Sequence, residues 1–292
     1  MIDAQCALHM RSILGEGPVW HPGQSRLYWL DLRRPAIYRF DPGSGANEQI
    51  QAELGDYVGG LVFRADGSMV VNNRNGIHAV DIASGKLTAL ADPEPDKPEN
   101  WFNDAKCDRL GRLWAGTGDS NETVASGNLY VFEHDHSWRV VDRNIICSNG
   151  PAFSPDGRSA YFSDSYAQEV VRYEIDPVTG EIGERRPFLK ITEHEVYPDG
   201  LTVDAEGGVW VAEWDAWRVA RYTPDGTFDR EIRLPVPRPT SMAFGGDDLR
   251  TLYITTASIG LSEAQLREAP LSGSLFECHP GVAGLPEPAY VG

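Results

Sequence analysis

The stretch Leu14-Gly15-Glu16-Gly17-Pro18-Val19-Trp20 decides how this chain is read, because its pattern returns five more times. The later copies are Gly59-Gly60-Leu61-Val62-Phe63, Asn103-Asp104-Ala105-Lys106-Cys107, Asn149-Gly150-Pro151-Ala152-Phe153, Asp199-Gly200-Leu201-Thr202-Val203 and Thr240-Ser241-Met242-Ala243-Phe244. In each, a lead residue stands four places before an apolar one and a turn follows. The lead residues are Glu16, Gly59, Asn103, Asn149, Asp199 and Thr240, at intervals of 43, 44, 46, 50 and 41.

Outward from that stretch, each copy repeats one plan. After the turn His21-Pro22-Gly23 comes a second apolar run, Arg26-Leu27-Tyr28-Trp29-Leu30, then a third, Ala36-Ile37-Tyr38-Arg39-Phe40, and a fourth around Glu48–Gln51. Short runs rich in Val, Ile, Tyr, Trp and Phe, separated by Gly, Asp and Pro turns, predict an all-β chain with almost no helix. Asp-Gly and Asn-Gly pairs supply the positive φ of tight hairpins. A period of 40 to 50 residues holding four strands predicts propeller blades. The expected fold is a six-bladed β-propeller of four antiparallel strands per blade, one domain spanning 1–292. Its N-terminal strand is expected to complete the last blade and so hide two sheet edges.

Composition narrows the function. Forty-one per cent of the 292 residues are hydrophobic, ample for a core, while 43 acidic against 26 basic residues give a formal charge of −17. That charge argues against nucleic acid and against an anionic membrane surface. No apolar run approaches the ~20 residues of a membrane span, and the N-terminus lacks a secretory pattern. Four dispersed cysteines without a C-x-x-C pair fit reduced thiols and a cytoplasmic location. No obligate protein partner is evident.

In such a propeller the first strand of each blade lines the central channel, so the lead residues converge at one rim. Glu16, Asn103, Asn149 and Asp199 then gather two carboxylates and two carboxamides around the axis. An all-oxygen set of this kind suits a hard divalent cation, with water or substrate completing the shell. The bland alternative is that polar residues at strand starts satisfy turn backbone. Three rim loops, 91–100, 117–126 and 257–272, are expected to cover the mouth. His134 and His136 are expected at the surface, and no G-x-S-x-G elbow supports serine-hydrolase chemistry.

Six ordered motifs also resemble the SMP-30/gluconolactonase/LRE family: Gly15–Trp20, Trp101-Phe102-Asn103-Asp104, Ala115-Gly116-Thr117, Ser148–Pro151, Tyr197–Gly200 and Phe244-Gly245-Gly246. The resemblance implies a six-bladed propeller holding one divalent ion through Glu16, Asn149 and Asp199, with calcium first and Mg, Mn or Zn as alternatives. It implies hydrolysis of a sugar-derived lactone, a small-molecule substrate touched by Asn103, with Asp199 orienting or deprotonating water. Trp101 and Asn121 stand where members often carry an Arg and a Glu, so both are expected at the substrate, Trp101 through an apolar ring face. Asp104 is expected to point away from Asn103. The rival readings are a phosphotriesterase or arylesterase, and a non-enzymatic metal-binding propeller.

Overall fold

The computed structural model describes residues 2–292 and contains six four-stranded antiparallel sheets. Blade one runs Gly15–His21, Arg26–Asp31, Ala36–Phe40 and Asn47–Ile50. Blades two to five open on Gly60–Phe63, Asn100–Cys107, Ser148–Phe153 and Tyr197–Val203, and each adds its next three strands by consecutive hairpins. Blade six takes Pro239–Gly245, Thr251–Thr256 and Leu275–Cys278 from the end of the chain. Its outer strand is Gln5–Leu8, paired antiparallel to Leu275–Cys278, so the two ends close the ring as expected. First strands touch the first strands of both neighbouring blades all the way round, including blade six against blade one.

Burial between blades holds the ring. The second strand of each blade carries bulky apolar residues that face the next sheet: Trp114 meets Phe153 edge-on at 5.4 Å, and Trp210 meets Phe244 at 6.4 Å. A buried indole needs an acceptor for its N–H. Asp108 accepts from Trp114 Nε1 at 2.9 Å and Asp204 from Trp210 Nε1 at 2.8 Å. In both blades the aspartate stands six residues before the tryptophan, across the turn. Each also takes a guanidinium, from Arg112 or Arg221, so the buried carboxylates are paired.

Three features lie outside the repeat logic. Ile2–Asp3 adds a fifth, parallel strand to blade five. One short helix, Glu263–Glu268, interrupts the 257–272 loop, and its capping box, Ser262 with Gln265, is present in the sequence. The tail beyond Cys278 also returns to the body. Tyr290 is fully buried in the core of blades two and three, and its hydroxyl donates to Glu133 O and lies 2.8 Å from His136 Nδ1. His134 is exposed, whereas His136 is half-buried by that contact. No helix among the described residues is long and apolar enough to cross a membrane.

Candidate active site

Irregular pairing places the lead residues. In blades one, three, four, five and six the ladder between the first two strands slips at the lead position. The breaks fall between Glu16 and Val19, Phe102 and Ala105, Asn149 and Ala152, Pro198 and Leu201, and Pro239 and Ser241. Blade two, whose lead residue is Gly59, pairs without a break from Gly60 to Phe63. A β-bulge adds a residue to one strand, bends it and re-aims a side chain. Gly17 and Gly150 follow their lead residues at φ +52° and +76°, where a side chain would be strained. The repeated bulge turns Glu16, Asn103, Asn149 and Asp199 into one cavity of about 320 Å³. Thr240 instead holds the ring together, donating to Gly15 O of blade one at 2.6 Å.

Hydrogen bonds orient the two amides. Asn149 Nδ2 donates to Ser165 Oγ at 2.9 Å, and that hydroxyl donates to Pro198 O at 2.7 Å, a relay from blade four into blade five. The Asn149 carbonyl oxygen therefore faces the cavity. It accepts one hydrogen bond, from Asn103 Nδ2 at 2.8 Å, and keeps a lone pair. Asn103 Nδ2 also donates to Ser148 O, while Asn103 Oδ1 accepts from Tyr57 OH at 3.0 Å. With both donors used, Asn103 has only an acceptor to offer a ligand. Asp104 turns the other way, as expected, and accepts from Gly150 N at 3.0 Å, fixing the peptide after Asn149.

Glu16 and Asp199 are buried, and each carboxyl is held well above the ordinary carboxylate range. Burial is the larger cause for both; Glu16 is also repelled by Asp199 and Asp104, and Asp199 by Asp104 and Glu122. Burial raises Asp104 to about 6 against the pull of Lys106. Such a cluster holds protons or a cation. Among the described residues no three His, Cys, Asp or Glu side chains form a metal cluster; the Asn149 amide oxygen lines the same cavity as the two carboxylates. Two carboxylates and one oriented amide oxygen make a hard, open donor set. Cys147 borders the cavity 3.6 Å from Asn149 Nδ2, and burial and nearby carboxylates push its thiol up, which disfavours the thiolate.

Around this floor the walls depart from expectation. Trp101 lines the cavity, yet Tyr57 stacks on it at 4.1 Å and the Arg33 guanidinium lies over it at 4.4 Å. The ring face reserved for a sugar is thus engaged by neighbours. Asn121 is exposed and does not line the cavity; Glu122 does, at φ +56°, with Tyr166 OH donating to it at 2.7 Å. Asp119 causes the offset, because it accepts from the backbone of Asn121, Thr123 and Val124 and curls the loop so that Glu122 turns inward. The 117–126 and 257–272 loops both reach the cavity, the latter through Ile259 and Gly260. The 91–100 loop does not. Its Glu94 is buried between Asn100, Asn128 and Tyr130, each at 2.7 Å, which ties the loop to the flank of blade three. Arg33, Tyr57, Glu122 and Arg238 escape the repeat pattern because they sit on loops or strand ends, whereas Ser165, Tyr166 and Trp214 line the cavity from the second-strand ends that the repeat register brings to this rim.

The family model described as SMP-30/Gluconolactonase/LRE-like region matches residues 14–258. The chain is 37% identical over 290 residues to 6-deoxy-6-sulfogluconolactonase of Pseudomonas putida, covering 99% of this chain and 98% of that one. It is 33% identical to pentonolactonase of Haloferax volcanii, over 98% of this chain and 96% of that one. The crystal structure of regucalcin from Agrobacterium tumefaciens, a calcium-binding protein, superposes with a TM-score of 0.92 at 28% identity, covering 99% and 97% of the two chains. With the family model spanning all six lead positions on a closed six-bladed ring, the chain belongs to the SMP-30/gluconolactonase/LRE-like family.

Proposed function

We propose that this protein hydrolyses sugar-derived lactones with the help of one divalent cation held by Glu16, Asn149 and Asp199. The observation that carries the reading is the convergence of two buried carboxylates and one oriented amide oxygen on the floor of a single cavity. Relatives named sulfogluconolactonase, sugar lactone lactonase and pentonolactonase support the reaction class. Calcium is the first candidate, since the donors are all oxygen and a calcium-binding relative shares the fold. When bound, the ion supplies positive charge opposite the lactone carbonyl oxygen and lowers the pKa of water.

The chain's own residues supply the rest. Asn103, held by Tyr57, offers its remaining acceptor lone pair to a substrate hydroxyl. Asp199 takes a proton from the attacking water and returns it to the ring oxygen as the C–O bond opens. One water is consumed and a hydroxy acid leaves. Burial and neighbouring carboxylates raise the proton affinity of Asp199, which offsets part of the loss a bound cation imposes on a base. Trp101 carries Arg33 rather than a sugar ring, and Glu122 takes the wall position expected of Asn121.

The test is to strip cations with chelator, add back Ca, Mg, Mn and Zn singly, and assay a panel of aldonolactones beside an organophosphate triester. Cation-restored lactone hydrolysis is expected. Turnover of the triester alone, or full lactone turnover in chelator, would overturn the reading.

A further inference from the structure

Arg33 stands in the cavity wall without a counter-ion. It lies in the loop after Arg26–Asp31, lines the cavity, and among the described residues has no carboxylate within 4.0 Å. Its nearest acid in sequence is occupied: Asp31 accepts from the backbone N–H groups of Ile13, Leu14, Arg33 and Arg34. Arg33 Nε is buried and has no hydrogen-bond acceptor. The other cavity arginine is fully engaged. Arg238 meets Asp215 at 2.7 and 3.1 Å and also donates to Ile259 O. In a chain with 43 acidic and 26 basic residues, a guanidinium left unpaired beside a ligand cavity is a costly arrangement.

The group is also held in place. Its guanidinium rests 4.4 Å from the Trp101 ring centre, and Trp101 is stacked on Tyr57 at 4.1 Å with 11° between the planes. Tyr57 is in turn anchored to Asn103. One chain of contacts thus links Arg33 to the amide beside the reaction centre. A guanidinium held over an indole has part of its ordering entropy spent before the ligand arrives, and its N–H groups, which find no acceptor among the described residues, remain for an oxyanion.

We propose that Arg33 binds an anionic substituent of the substrate. On this view, which rests on the lactonase reading above, the lactone carries a sulfonate, phosphate or carboxylate on its part remote from the carbonyl. The carbonyl end meets Glu16, Asn149 and Asp199, and the anionic end meets Arg33. The wall Trp101 lines then serves as a platform for the cation. Without Arg33 such a substrate would face Glu122 and Asp119 with no compensating charge.

The experiment compares kcat/KM for a neutral aldonolactone and for counterparts of the same ring size carrying a sulfonate, a phosphate or a carboxylate at the far carbon. The wild-type protein is expected to prefer at least one anionic lactone by roughly 10- to 100-fold, carried mainly by KM, as a charged hydrogen-bonded pair allows. The three arms identify which oxyanion is recognised. Arg33→Gln should collapse that ratio and Arg33→Lys restore part of it. Arg74→Gln, which alters a second arginine over Trp101 at 5.4 Å that does not line the cavity, should keep it. Should Arg33→Gln fail to fold, the wild-type protein still answers: KM for the preferred anionic lactone should rise with ionic strength while KM for the neutral one stays level. Equal kcat/KM for neutral and anionic lactones, or an Arg33→Gln variant that raises both KM values alike, would overturn the inference and leave lactone hydrolysis standing. Failure to hydrolyse any lactone with cation present would remove both.

Discussion

Asp199 and Ser165 separate chemistry from orientation. Asp199→Asn keeps an oxygen and the size of the side chain but removes the base and one negative charge. We expect kcat to fall by about 10²- to 10⁴-fold with the fold intact by circular dichroism; near-native turnover would refute the role. Ser165 touches no substrate in this account. Its hydroxyl oxygen accepts a hydrogen bond from Asn149 Nδ2 and its O–H donates one to Pro198 O, so that the amide oxygen stays aimed at the cavity. Ser165→Ala should weaken the activating cation by about 10- to 100-fold, as loss of an orienting partner does, with most of kcat restored at saturating ion. A cation titration of activity distinguishes the two variants. Loss of kcat that no concentration restores would place Ser165 in the chemistry itself.

The element that sets the site is the bulged first strand. A regular strand alternates its side chains, so a residue and its successor point to opposite faces. In blades three and four the bulge lets Asn103 and Asn149 open into the cavity while Asp104 reaches back to Gly150 N from below. Blade two has no break and no donor, whereas blade six keeps the break and turns Thr240 onto Gly15 O of blade one, so the bulge aims a side chain into the cavity in four blades and across the ring closure in the sixth. The C-terminal tail is the second element with a measurable role. It buries Tyr290 completely beside Phe102, Tyr130 and Phe132 in the core of blades two and three. Removing that ring with Tyr290→Ala should cost about 3–5 kcal/mol, the range for large aromatic truncations in cores, read from denaturant melts. A cost below about 1 kcal/mol, a surface-like value, would mean the tail is loosely held.

Across the whole molecule, pH and cation should be linked. Asp104 is raised to about 6, and Glu16 and Asp199 are raised too, so the folded chain binds these protons more tightly than the unfolded chain does. Their contribution to stability is therefore present at low pH and declines from about pH 4 upward, as the unfolded carboxyls ionise. It is lost as pH rises through the folded values. A divalent ion competes with the same protons. The gain in Tm on adding calcium to chelated protein should be small at pH 5 and grow toward pH 7.5. Taking the difference between the two melts cancels groups remote from the site, such as His78, whose buried imidazole is shifted down. A gain that is flat across this range would break the link between the carboxylate cluster and the ion.

The sequence alone determined the ring. Six lead residues at a nearly constant interval, with four apolar runs after each, suffice because strand periodicity and turn chemistry are local properties. Blade number, closure by Gln5–Leu8 and the meeting of Glu16, Asn103, Asn149 and Asp199 in one cavity follow from that pattern and the geometry of a closed sheet array. The wall was decided only in three dimensions. Asn121 and Glu122 differ by one position, and the hydrogen bonds of Asp119 choose which faces inward. Glu94 withdraws its loop from the mouth, and Tyr57 and Arg33 occupy the ring of Trp101 from other blades and loops. Loop side chains reach the cavity through contacts between residues far apart in sequence, and no local pattern encodes those contacts.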